Sequence, residues 1–522
     1  MNGVLQFRVL RSGVLLASLG FLSLHSHSAD TVDRVVSHPA VCGSTRPGMF
    51  LADCLAGTES LDIVVIGDSN TGSALEGLWG YHNGLSEALL KLGARPYATA
   101  VFPTMLRGTI ASTGGWRGWT YFPSSKGTAL IDGSTLSQKH QWSSWNCLSA
   151  LMRYGPTEPP SIDGWALVPT GQYLQTYNAV FLQANNPMSA FGEQLVFRVR
   201  YGEFSEVGGS FTPAVFEGDR MITQGAPCNS GSAKPVLGTC ELEFLATGDD
   251  VRAAWSGGGS VGPVAIQWQS IYRRCKGWSV TSHAYMSGST QLQIATAVTS
   301  SGRPYVESVL REHRERQRAA GGRGRLLLWI HGGINGTTTP AEWSHSTEQV
   351  ISMYRSVWQD LGFPADDLAA IAFVGVQSNA ADLSNGGTPL APVRTFAREL
   401  GYRIPELAVI HMPSIISYAE LARPPSLYQG FPDNTAHLSG GPGTVTDGYS
   451  VVSQRVIDRL VLHAQCLADI DGSTVVDSAD MGFLMANWNL SGALTGADIS
   501  GDGRVDGADL VFLLDGWGPC PP

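Results

Sequence analysis

The sequence has no dense run of lysine and arginine interleaved with aromatic residues, and its formal net charge is -10. Since nucleic-acid-binding surfaces are strongly basic, this excludes a nucleic-acid partner. Charged residues make up only 15% of the chain and hydrophobic residues 43%, a balance that excludes an intrinsically disordered protein and is typical of a folded one. No two cysteines have the C-x-x-C spacing, so the sequence gives no sign of a zinc or dithiol redox centre.

Long hydrophobic runs are also missing beyond the N-terminus, so no later segment is expected to cross a bilayer. At the N-terminus, Arg8 and Arg11 precede an apolar run at 14–24, and small residues follow up to Ala29. This order predicts a secretory signal peptide over 1–29 and therefore a secreted, extracellular or cell-surface protein. The alternative is an uncleaved membrane anchor formed by the same run.

The chain contains eight cysteines, which suits disulfide formation in an oxidising compartment. Their spacing predicts three pairs, with two cysteines left for a fourth bridge. The predicted pairs are Cys42 with Cys54, Cys228 with Cys240, Cys466 with Cys520, and finally Cys147 with Cys275.

With 522 residues, the chain is long enough for two to four domains. Its first strong element is an apolar run at 61–66, followed by G-D-S-N at 67–70 and a helix-like stretch. This pattern predicts a strand, a tight turn and a helix, with Ser69 at the carboxyl end of the strand, where open α/β sheets bind ligands. Ser69 is therefore a candidate nucleophile. The alternative is that Asp68 and Ser69 only cap the helix.

A second predicted strand, at 326–330, runs into the glycine turn H-G-G-I-N at 331–335. The Asn335 amide can donate a hydrogen bond to the anionic oxygen of a tetrahedral intermediate, as acyl transfer requires. Between the two motifs lies S-G-S-T at 287–290, where Gly288 lets a backbone N–H approach a reacting oxygen.

A loop at 432–439 carries His437 shortly before a helix-like stretch at 449–463. Imidazole is the usual base for a serine hydroxyl, and a nearby carboxylate can fix its tautomer. His437 is therefore a candidate general base. The alternative is a hydrogen-bonded surface histidine without a catalytic role.

In chain order, these four segments resemble the conserved blocks of the SGNH (GDSL-like) hydrolases, a family of esterases. The resemblance implies an α/β, flavodoxin-like fold in three layers around a parallel sheet, divided between residues 30–115 and 263–465. It also implies hydrolysis through an acyl-enzyme without a catalytic cofactor. In that mechanism Ser69 is the nucleophile, His437 is the base and acid, and the Ser69 and Gly288 amides form the oxyanion hole with the Asn335 side chain.

The position of the carboxylate expected to orient His437 departs from the family pattern. The family places an aspartate three residues before the histidine, but that position holds Asn434, and Asp433 lies four residues before His437. Either the loop absorbs one extra residue and Asp433 orients His437, which we favour, or Asn434 orients it as a neutral group.

A competing nucleophile is Ser260, because G-G-S-V-G at 258–262 fits the G-x-S-x-G elbow of α/β-hydrolases and H-G-G at 331–333 is similar to a lipase oxyanion loop. The elbow requires a strand directly before the serine, whereas 249–252 is expected to be a turn and 256–257 a flexible glycine run. The oxyanion motif should also precede its nucleophile, and here it follows. We therefore favour Ser69.

Residues 116–262 have a different character, with short apolar segments such as 179–183 and 195–201 broken by Gly, Pro and Asn. These segments predict β-strands in an inserted, β-sandwich-like domain. Its aromatic residues could bind sugar, pack a core or cover the active site as a lid. The tryptophans concerned are Trp116, Trp119, Trp142 and Trp145.

The C-terminus contains an internal repeat, in which D-I-D-G-S at 469–473 recurs 29 residues later as D-I-S-G-D at 498–502. Each of these oxygen-rich loops precedes the same apolar helix residues. These are Phe483, Leu484 and Trp488 in the first unit and Phe512, Leu513 and Trp517 in the second. The repeat predicts two copies of one loop-helix unit.

Hard oxygen ligands at loop positions 1, 3, 5, 7, 9 and 12 suit Ca²⁺, as in an EF-hand loop. Aspartate at position 12 and the missing first helix resemble dockerins. The resemblance implies a small α-helical, calcium-binding domain at 466–522 with a cohesin-like or cell-surface partner. The alternative is Asp/Gly turns without metal. The expected ligands are Asp469, Asp471, Ser473, the Val475 carbonyl, Asp477 and Asp480, then Asp498, Ser500, Asp502, the Arg504 carbonyl, Asp506 and Asp509.

The expected function is a secreted serine esterase that removes acyl groups, O-acetyl groups foremost, from carbohydrate or a small ester. The carbohydrate expectation depends on secretion, the dockerin-like repeat and the aromatic insert. The alternative is a non-catalytic surface protein that binds glycan on the same scaffold.

Overall fold

The computed structural model describes residues 41–67, 81–101, 129–131, 166–168, 173–177, 194–203, 210–217, 220–229, 236–245, 251–258, 264–284, 302–331, 340–374, 400–428 without 402, 438–439, 448–471, 473, 475–490, 497–499 and 504–520. All of them belong to the unit His38–Pro522. Within this part of the chain, no helix has the length and apolar character needed to span a membrane. The predicted signal peptide at 1–29 lies outside the described residues.

A six-stranded sheet organises the α/β part of the fold. Its strands are β1 (Val41–Gly43), β2 (Leu61–Gly67), β14 (Trp278–Ala284), β15 (Arg325–His331), β16 (Leu368–Val374) and β17 (Leu407–His411), in the spatial order β1-β17-β16-β15-β2-β14. All neighbouring pairs are parallel except β1 with β17, which is antiparallel at one edge. The long apolar runs form these strands because a parallel sheet is covered on both faces.

The parallel strands follow the flavodoxin-like order 2-1-3-4-5 when they are counted along the chain from β2. The direction of winding reverses between β2 and β15, so the crevice beyond their carboxyl ends is the topological switch point. The expected α/β class with a parallel sheet is confirmed.

Helices cover both faces of this sheet because alternate strand residues point to opposite sides. Ile63 and Val65 of β2 pack in one core with α1 (Arg46–Leu55), α2 (Tyr81–Lys91) and α7 (Gly448–Gln465). Val64 and Ile66 pack in a second core with α3 (Gly302–Ala319) and α4 (Pro340–Asp360). The α/β part therefore has three layers. Shorter elements are a 3-10 turn (Ala365–Asp367) before β16, and α5 (Met412–Ile415) and α6 (Tyr418–Ala422) after β17.

Two antiparallel sheets form between α2 and β14. One contains β4 (Ala129–Ile131), β6 (Tyr173–Tyr177), β8 (Ser210–Glu217), β9 (Arg220–Gln224), β10 (Cys228–Asn229) and β12 (Val251–Gly258). The other contains β3 (Ala98–Val101), β5 (Ala166–Val168), β7 (Gln194–Glu203), β11 (Val236–Leu245) and β13 (Val264–Arg273). The two sheets touch where the rings of Tyr201 and Phe211 meet edge to face, 5.1 Å apart.

The expected strand at 195–201 lies within β7. The expected strand at 179–183 lies outside the described residues, as do Trp116, Trp119, Trp142 and Trp145.

The antiparallel sheets extend beyond the expected boundaries of 116 and 262 because one backbone segment is shared with the parallel sheet. Trp278 N–H at the start of β14 donates to the Arg95 carbonyl at 3.0 Å, and Tyr97 N–H donates to the Trp278 carbonyl at 2.9 Å. The chain then continues into β3, which pairs with β13. Arg273 N–H of β13 donates to the Tyr97 carbonyl at 2.8 Å. Backbone hydrogen bonds therefore join the two kinds of sheet directly.

Helix α3 buries charged side chains against the amino end of the parallel sheet. Asp62 of β2 is fully buried and accepts hydrogen bonds from the Tyr97 and Ser279 hydroxyls, both at 2.5 Å. Its other oxygen lies 2.8 Å from His313 Nδ1 and 3.3 Å from Arg316 Nη2 on α3. Burial raises the pKa of Asp62, but the Arg316 charge and the His313 contact outweigh it, so the net direction is downward.

Helix α3 also contacts β7 through a second buried charge cluster. Glu312 is 0% exposed and lies 3.1 Å from Arg198 Nε and 3.2 Å from Arg200 Nη1. The more exposed Glu315 lies 2.8 Å from Arg198. Removing one partner of a buried pair costs roughly 3–5 kcal/mol because the other charge is left uncompensated. Helix α3 therefore ties an antiparallel sheet firmly to the parallel one.

Two of the predicted disulfides are present. Cys228 on β10 is bonded to Cys240 on β11, so this bridge connects the two antiparallel sheets. Cys466 is bonded to Cys520 and closes the C-terminal repeat. Disulfides fit the expected oxidising environment.

The predicted bridge between Cys42 and Cys54 is wrong. Both residues are buried and are not joined by a disulfide. Cys42 packs in the core beside α3 and α4, whereas Cys54 packs in the core beside α1, α2 and α7, so the parallel sheet lies between them. Cys147 lies outside the described residues, so its pairing with Cys275 stays a prediction.

The C-terminal module consists of two loop-helix units. Their helices are α8 (Ser478–Ala486) and α9 (Gly507–Asp515), and their short strands are β18 (Val475–Val476) and β19 (Gly518–Pro519). Val476 pairs with Gly518. At the position 29 residues later, Val505 N–H donates to the Leu490 carbonyl at 3.0 Å and its own carbonyl accepts from Asn489 N–H at 2.9 Å. The loop of each unit therefore pairs with the residues that follow the helix of the other unit.

The two helices bury the same residue of the repeat but expose others unequally. Leu484 and Leu513 are both 0% exposed. Phe483 and Trp488 are partly buried against this core, whereas Phe512 and Trp517 are 49% and 48% exposed. The expected apolar face is therefore fully covered only at the leucine.

Replacing Glu312 with glutamine is expected to make the free energy of unfolding less dependent on pH. Burial, opposed by three neighbouring arginines, raises the pKa of Glu312 from 4.5 to about 7. Such a group stabilises the fold below its unfolded pKa and loses this contribution as the pH rises through the folded pKa. We expect the wild type to lose on the order of 3 kcal/mol from this group across that window, and E312Q to lose none of it.

Urea unfolding between pH 4.5 and pH 8 measures this difference. Glu315→Gln is the matched control, because it contacts the same arginine from the same helix but is 51% exposed. Parallel pH profiles for wild type and E312Q would contradict the prediction.

Candidate active site

Three strands of the parallel sheet end side by side. Gly67 of β2 stands opposite Ala284 of β14 on one side and opposite His331 of β15 on the other. Because neighbouring strands lie about 4.8 Å apart, the three strand ends span about 10 Å. They form the carboxyl edge at the topological switch point, where open α/β sheets bind ligands.

The predicted catalytic residues lie outside the described residues. They are Ser69, Gly288, Asn335, Asp433 with its alternative Asn434, and His437. Three of them follow a described strand end closely in the sequence. Two residues of chain span at most about 7 Å, and four span at most about 14 Å.

Ser69 follows the end of β2 by two residues, whereas Gly288 and Asn335 each follow a strand end by four. The Ser69 motif is therefore far in sequence from the other two, but all three motifs follow adjacent strand ends.

The segment that contains His437 begins and ends at paired backbone positions. Tyr428 and Leu438 form an antiparallel bridge, and Ser439 N–H donates to the Leu427 carbonyl at 2.7 Å. Leu438 is 1% exposed and belongs to the core shared by α2 and α7. Backbone pairing and burial of Leu438 therefore hold the chain in place one residue after His437.

Buried aromatic rings connect the flanks of these segments. Tyr81, the first described residue after the Ser69 segment, has its ring 4.4 Å from that of His331 and 5.2 Å from that of Tyr449. Tyr449 N–H donates to the Ser439 carbonyl at 3.2 Å. Sequence analysis missed Tyr81 and Tyr449. Their only signal in the sequence is that they border the motif segments.

The competing elbow at Ser260 requires a correction. A strand, β12, does end at Gly258, although a turn and a flexible glycine run were expected there. This strand pairs antiparallel with β6 and β8. It lies in a different sheet from β15, which carries the H-G-G motif. The elbow of α/β-hydrolases needs the strand-to-helix turn of a parallel sheet, so β12 does not provide its context.

The first repeat loop brings three carboxylates together. One oxygen each of Asp469, Asp471 and Asp480 lies within 4.8 Å of the others. Ser473 N–H donates to Asp469 at 2.8 Å and to Asp471 at 3.0 Å. The Ser473 hydroxyl donates to the Val475 carbonyl at 2.9 Å. Carboxylate oxygens of three expected ligands therefore lie close together, and Ser473 and Val475 are hydrogen-bonded beside them.

Asp480 is the most buried of these carboxylates, at 0% exposure. It accepts hydrogen bonds from the backbone N–H groups of Ile470, Asp471 and Asp477 at 2.6, 3.1 and 2.8 Å. Burial raises the pKa of Asp480. A buried cluster of carboxylates is costly without a cation, so this donor set fits a hard metal ion such as Ca²⁺.

The second loop repeats the helix-capping part of this arrangement. Asp477 caps α8 through Ala479 N–H at 2.7 Å, and Asp506 caps α9 through Ala508 N–H at 2.8 Å. Asp509 accepts from Asp506 N–H at 2.8 Å. Of the other expected ligands, Asp498 and Arg504 are described, whereas Ser500 and Asp502 lie outside the described residues.

No protein-family model matches the chain, and no curated protein matches it. Among solved structures, a peptidoglycan O-acetylesterase is similar with a TM-score of 0.46 and 11% identity over 81% of this chain and 99% of that one. An acetyl xylan esterase from the rumen bacterium Butyrivibrio proteoclasticus has a TM-score of 0.20 and 8% identity, over 56% and 90%. A family 35 carbohydrate-binding module from Clostridium thermocellum has a TM-score of 0.15 and 8% identity, over 21% and 78%.

Proposed function

We propose that this protein is a secreted serine esterase that hydrolyses acyl esters, O-acetyl esters of carbohydrate foremost. The observation that supports it most is the position of the switch point. The motifs that contain Ser69, Gly288 and Asn335 follow three adjacent strand ends in the sequence, and the two strands at the switch point precede the proposed nucleophile and the proposed amide donor.

The proposed reaction begins when Ser69 Oγ attacks the acyl carbon and its proton passes to the His437 imidazole. The Ser69 and Gly288 amides and the Asn335 side chain stabilise the negative oxygen of the tetrahedral intermediate. The carbon–oxygen bond to the alcohol then breaks, and the alcohol leaves with the proton from His437. Water repeats the sequence on the acyl-enzyme, which releases the carboxylic acid and restores the Ser69 hydroxyl.

The choice of a carbohydrate substrate depends on the sequence. A signal-like N-terminus, a dockerin-like repeat and an aromatic-rich segment at 116–262 are typical of extracellular proteins that act on polysaccharide. An inserted β-sandwich that holds the glycan next to the carboxyl edge is part of the same proposal.

Substituting Ser69 with alanine is expected to lower kcat for nitrophenyl acetate by roughly 10³-fold or more, because the acyl-enzyme cannot form. Release of nitrophenol by the purified protein measures this loss. Ser73→Ala is the matched control, since Ser73 belongs to the same segment but not to the motif. If wild type and S69A are equally inactive on short and long acyl chains, the esterase proposal fails and glycan binding without catalysis becomes the function to test.

The acid partner is decided by a second pair of variants. If Asp433 orients His437, Asp433→Asn should lower kcat by roughly 10²- to 10⁴-fold, whereas Asn434→Ala should stay within about threefold of wild type. The pH profile of kcat/KM shows whether the histidine pKa has fallen, as loss of a neighbouring carboxylate requires. The reverse pattern would assign the orienting role to Asn434.

We also propose that the C-terminal module binds Ca²⁺ as a structural ion. The support is the carboxylate cluster of the first loop, together with the recurrence of the same residue pattern and of its helix-capping contacts in the second. Asp469, Asp471, Ser473, the Val475 carbonyl and Asp480 would hold the ion in the first loop, with Asp477 at position 9. The ion would offset the repulsion between these carboxylates. A cohesin-like or cell-surface partner for this module stays a prediction.

Removing Ca²⁺ with EDTA is expected to destabilise the module, and adding it back at 100 times its Kd should restore about 2.7 kcal/mol. Isothermal titration calorimetry and a thermal scan of the full chain measure the binding and the stabilisation. Asp480→Asn should abolish binding to the first loop, and Asp515→Asn, which changes an exposed aspartate at the end of α9, should not. An unchanged Tm with and without Ca²⁺ would contradict the proposal.

A further inference from the structure

We propose that the Tyr81 ring, packed between His331 and Tyr449, positions the Ser69, Asn335 and His437 segments relative to one another. The inference rests on the proposed esterase function, because it assigns a positioning role in that reaction. It concerns residues that do not touch the reacting atoms.

Tyr81 lies at the centre of a cluster of buried rings. His331 lies 4.4 Å away with its ring tilted by 37°, and Tyr449 lies 5.2 Å away, edge to face. Phe373 of β16 lies 6.1 Å from Tyr81 and 5.2 Å from His331. All four side chains are at most 1% exposed. Such contacts have preferred geometries, so each ring restricts the orientation of the next.

Three of these four rings each border a different motif segment. Tyr81 is the start of α2 and follows the Ser69 segment at 68–80. His331 is the last residue of β15 and precedes the Asn335 segment at 332–339. Tyr449 is the second residue of α7 and follows the chain that contains His437. The Tyr81 ring therefore contacts the residues that border the other two motif segments.

Two glycines allow this cluster to close. A Cβ at Gly84 would lie 2.4 Å from the carbonyl carbon of Tyr449, so α2 and α7 approach each other at a point where only glycine fits. A Cβ at Gly448 would lie 2.2 Å from the Leu427 carbonyl oxygen and 3.1 Å from Leu438 Cβ. The start of α7 is thus held against both the Tyr81 helix and the residue that follows His437.

Because these rings are closely packed, a small shift of one ring moves its neighbours. Protein interiors have few voids, so removing a ring at the centre lets the neighbouring rings and their backbones move. A misplacement of about 1 Å between reacting groups can cost roughly 10²-fold in rate. Substrate binding depends less on these contacts, because the rings are buried and do not touch the reacting atoms. Loss of Tyr81 should therefore appear in kcat more than in KM.

The test compares Tyr81→Leu with Tyr81→Phe and with Tyr354→Leu. Tyr354 is the matched control, because it is a tyrosine of similar burial on α4 in the other core. We expect Y81L to lower kcat for nitrophenyl acetate by roughly 10- to 100-fold with KM within about threefold. Y81F, which keeps the ring, should restore kcat to within about threefold, and Y354L should change Tm without changing kcat. If Y81L does not fold, Tyr449→Leu removes the adjacent ring instead.

Hydrogen exchange provides a readout that does not need activity. In Y81L, amide exchange should rise in peptides from 68–80, 332–339 and 429–447, whereas Y354L should leave them unchanged. If wild type hydrolyses esters and Y81L alters neither kcat nor exchange in these peptides, the positioning role is overturned and the esterase proposal stands. If wild type hydrolyses no ester but Y81L raises exchange in all three peptides, the esterase proposal fails while the mechanical link between the segments holds.

Discussion

The hydrogen-bonded register of β2 between β14 and β15 is the interaction on which the rest of the molecule depends. It aligns three strand ends at one edge, and the reversal of winding beside β2 opens the crevice there. A slip of one residue would exchange Ile63 and Val65 with Val64 and Ile66 between the two cores. Both helix layers would then lose their complementary surface. Burial on both faces therefore fixes the register, and the register places the motifs.

The buried charged residues of α3 also contact the parallel sheet. Asp62 lies at the amino end of β2, far along the strand from the carboxyl edge, so its cluster supports the scaffold rather than the chemistry. Glu312, one turn before Arg316 on the same helix, forms ion pairs with two arginines of β7. Together with the shared backbone at 95–97, these pairs make the antiparallel sheets an integral part of the fold. A lid that swings on a flexible linker would not need such contacts.

The C-terminal module has only a small apolar core, so it needs other sources of stability. The disulfide between Cys466 and Cys520, the paired capping boxes and the exchange of short β-contacts between the units compensate for this. The carboxylates at the loop centre remain the costly element. A bound cation would turn their repulsion into a contribution to folding.

Much was determined by the sequence alone. Apolar runs at 61–66 and 326–330 predicted buried strands, the repeat spacing predicted two loop-helix units, and resemblance predicted a flavodoxin-like parallel sheet, because these features depend on local patterns. Spacing failed for Cys42 and Cys54, since residues close in sequence can lie on opposite faces of a sheet. The glycine-rich pattern before Ser260 was also misleading, because that segment pairs with β8 as strand β12.

Only the tertiary structure decided that β2, β14 and β15 are neighbours, that Tyr81 touches both His331 and Tyr449, and that α3 joins two sheets through buried charges. The physical reason is that such contacts join residues far apart in the chain. Local propensity carries no information about them, and they form only when the complete cores pack.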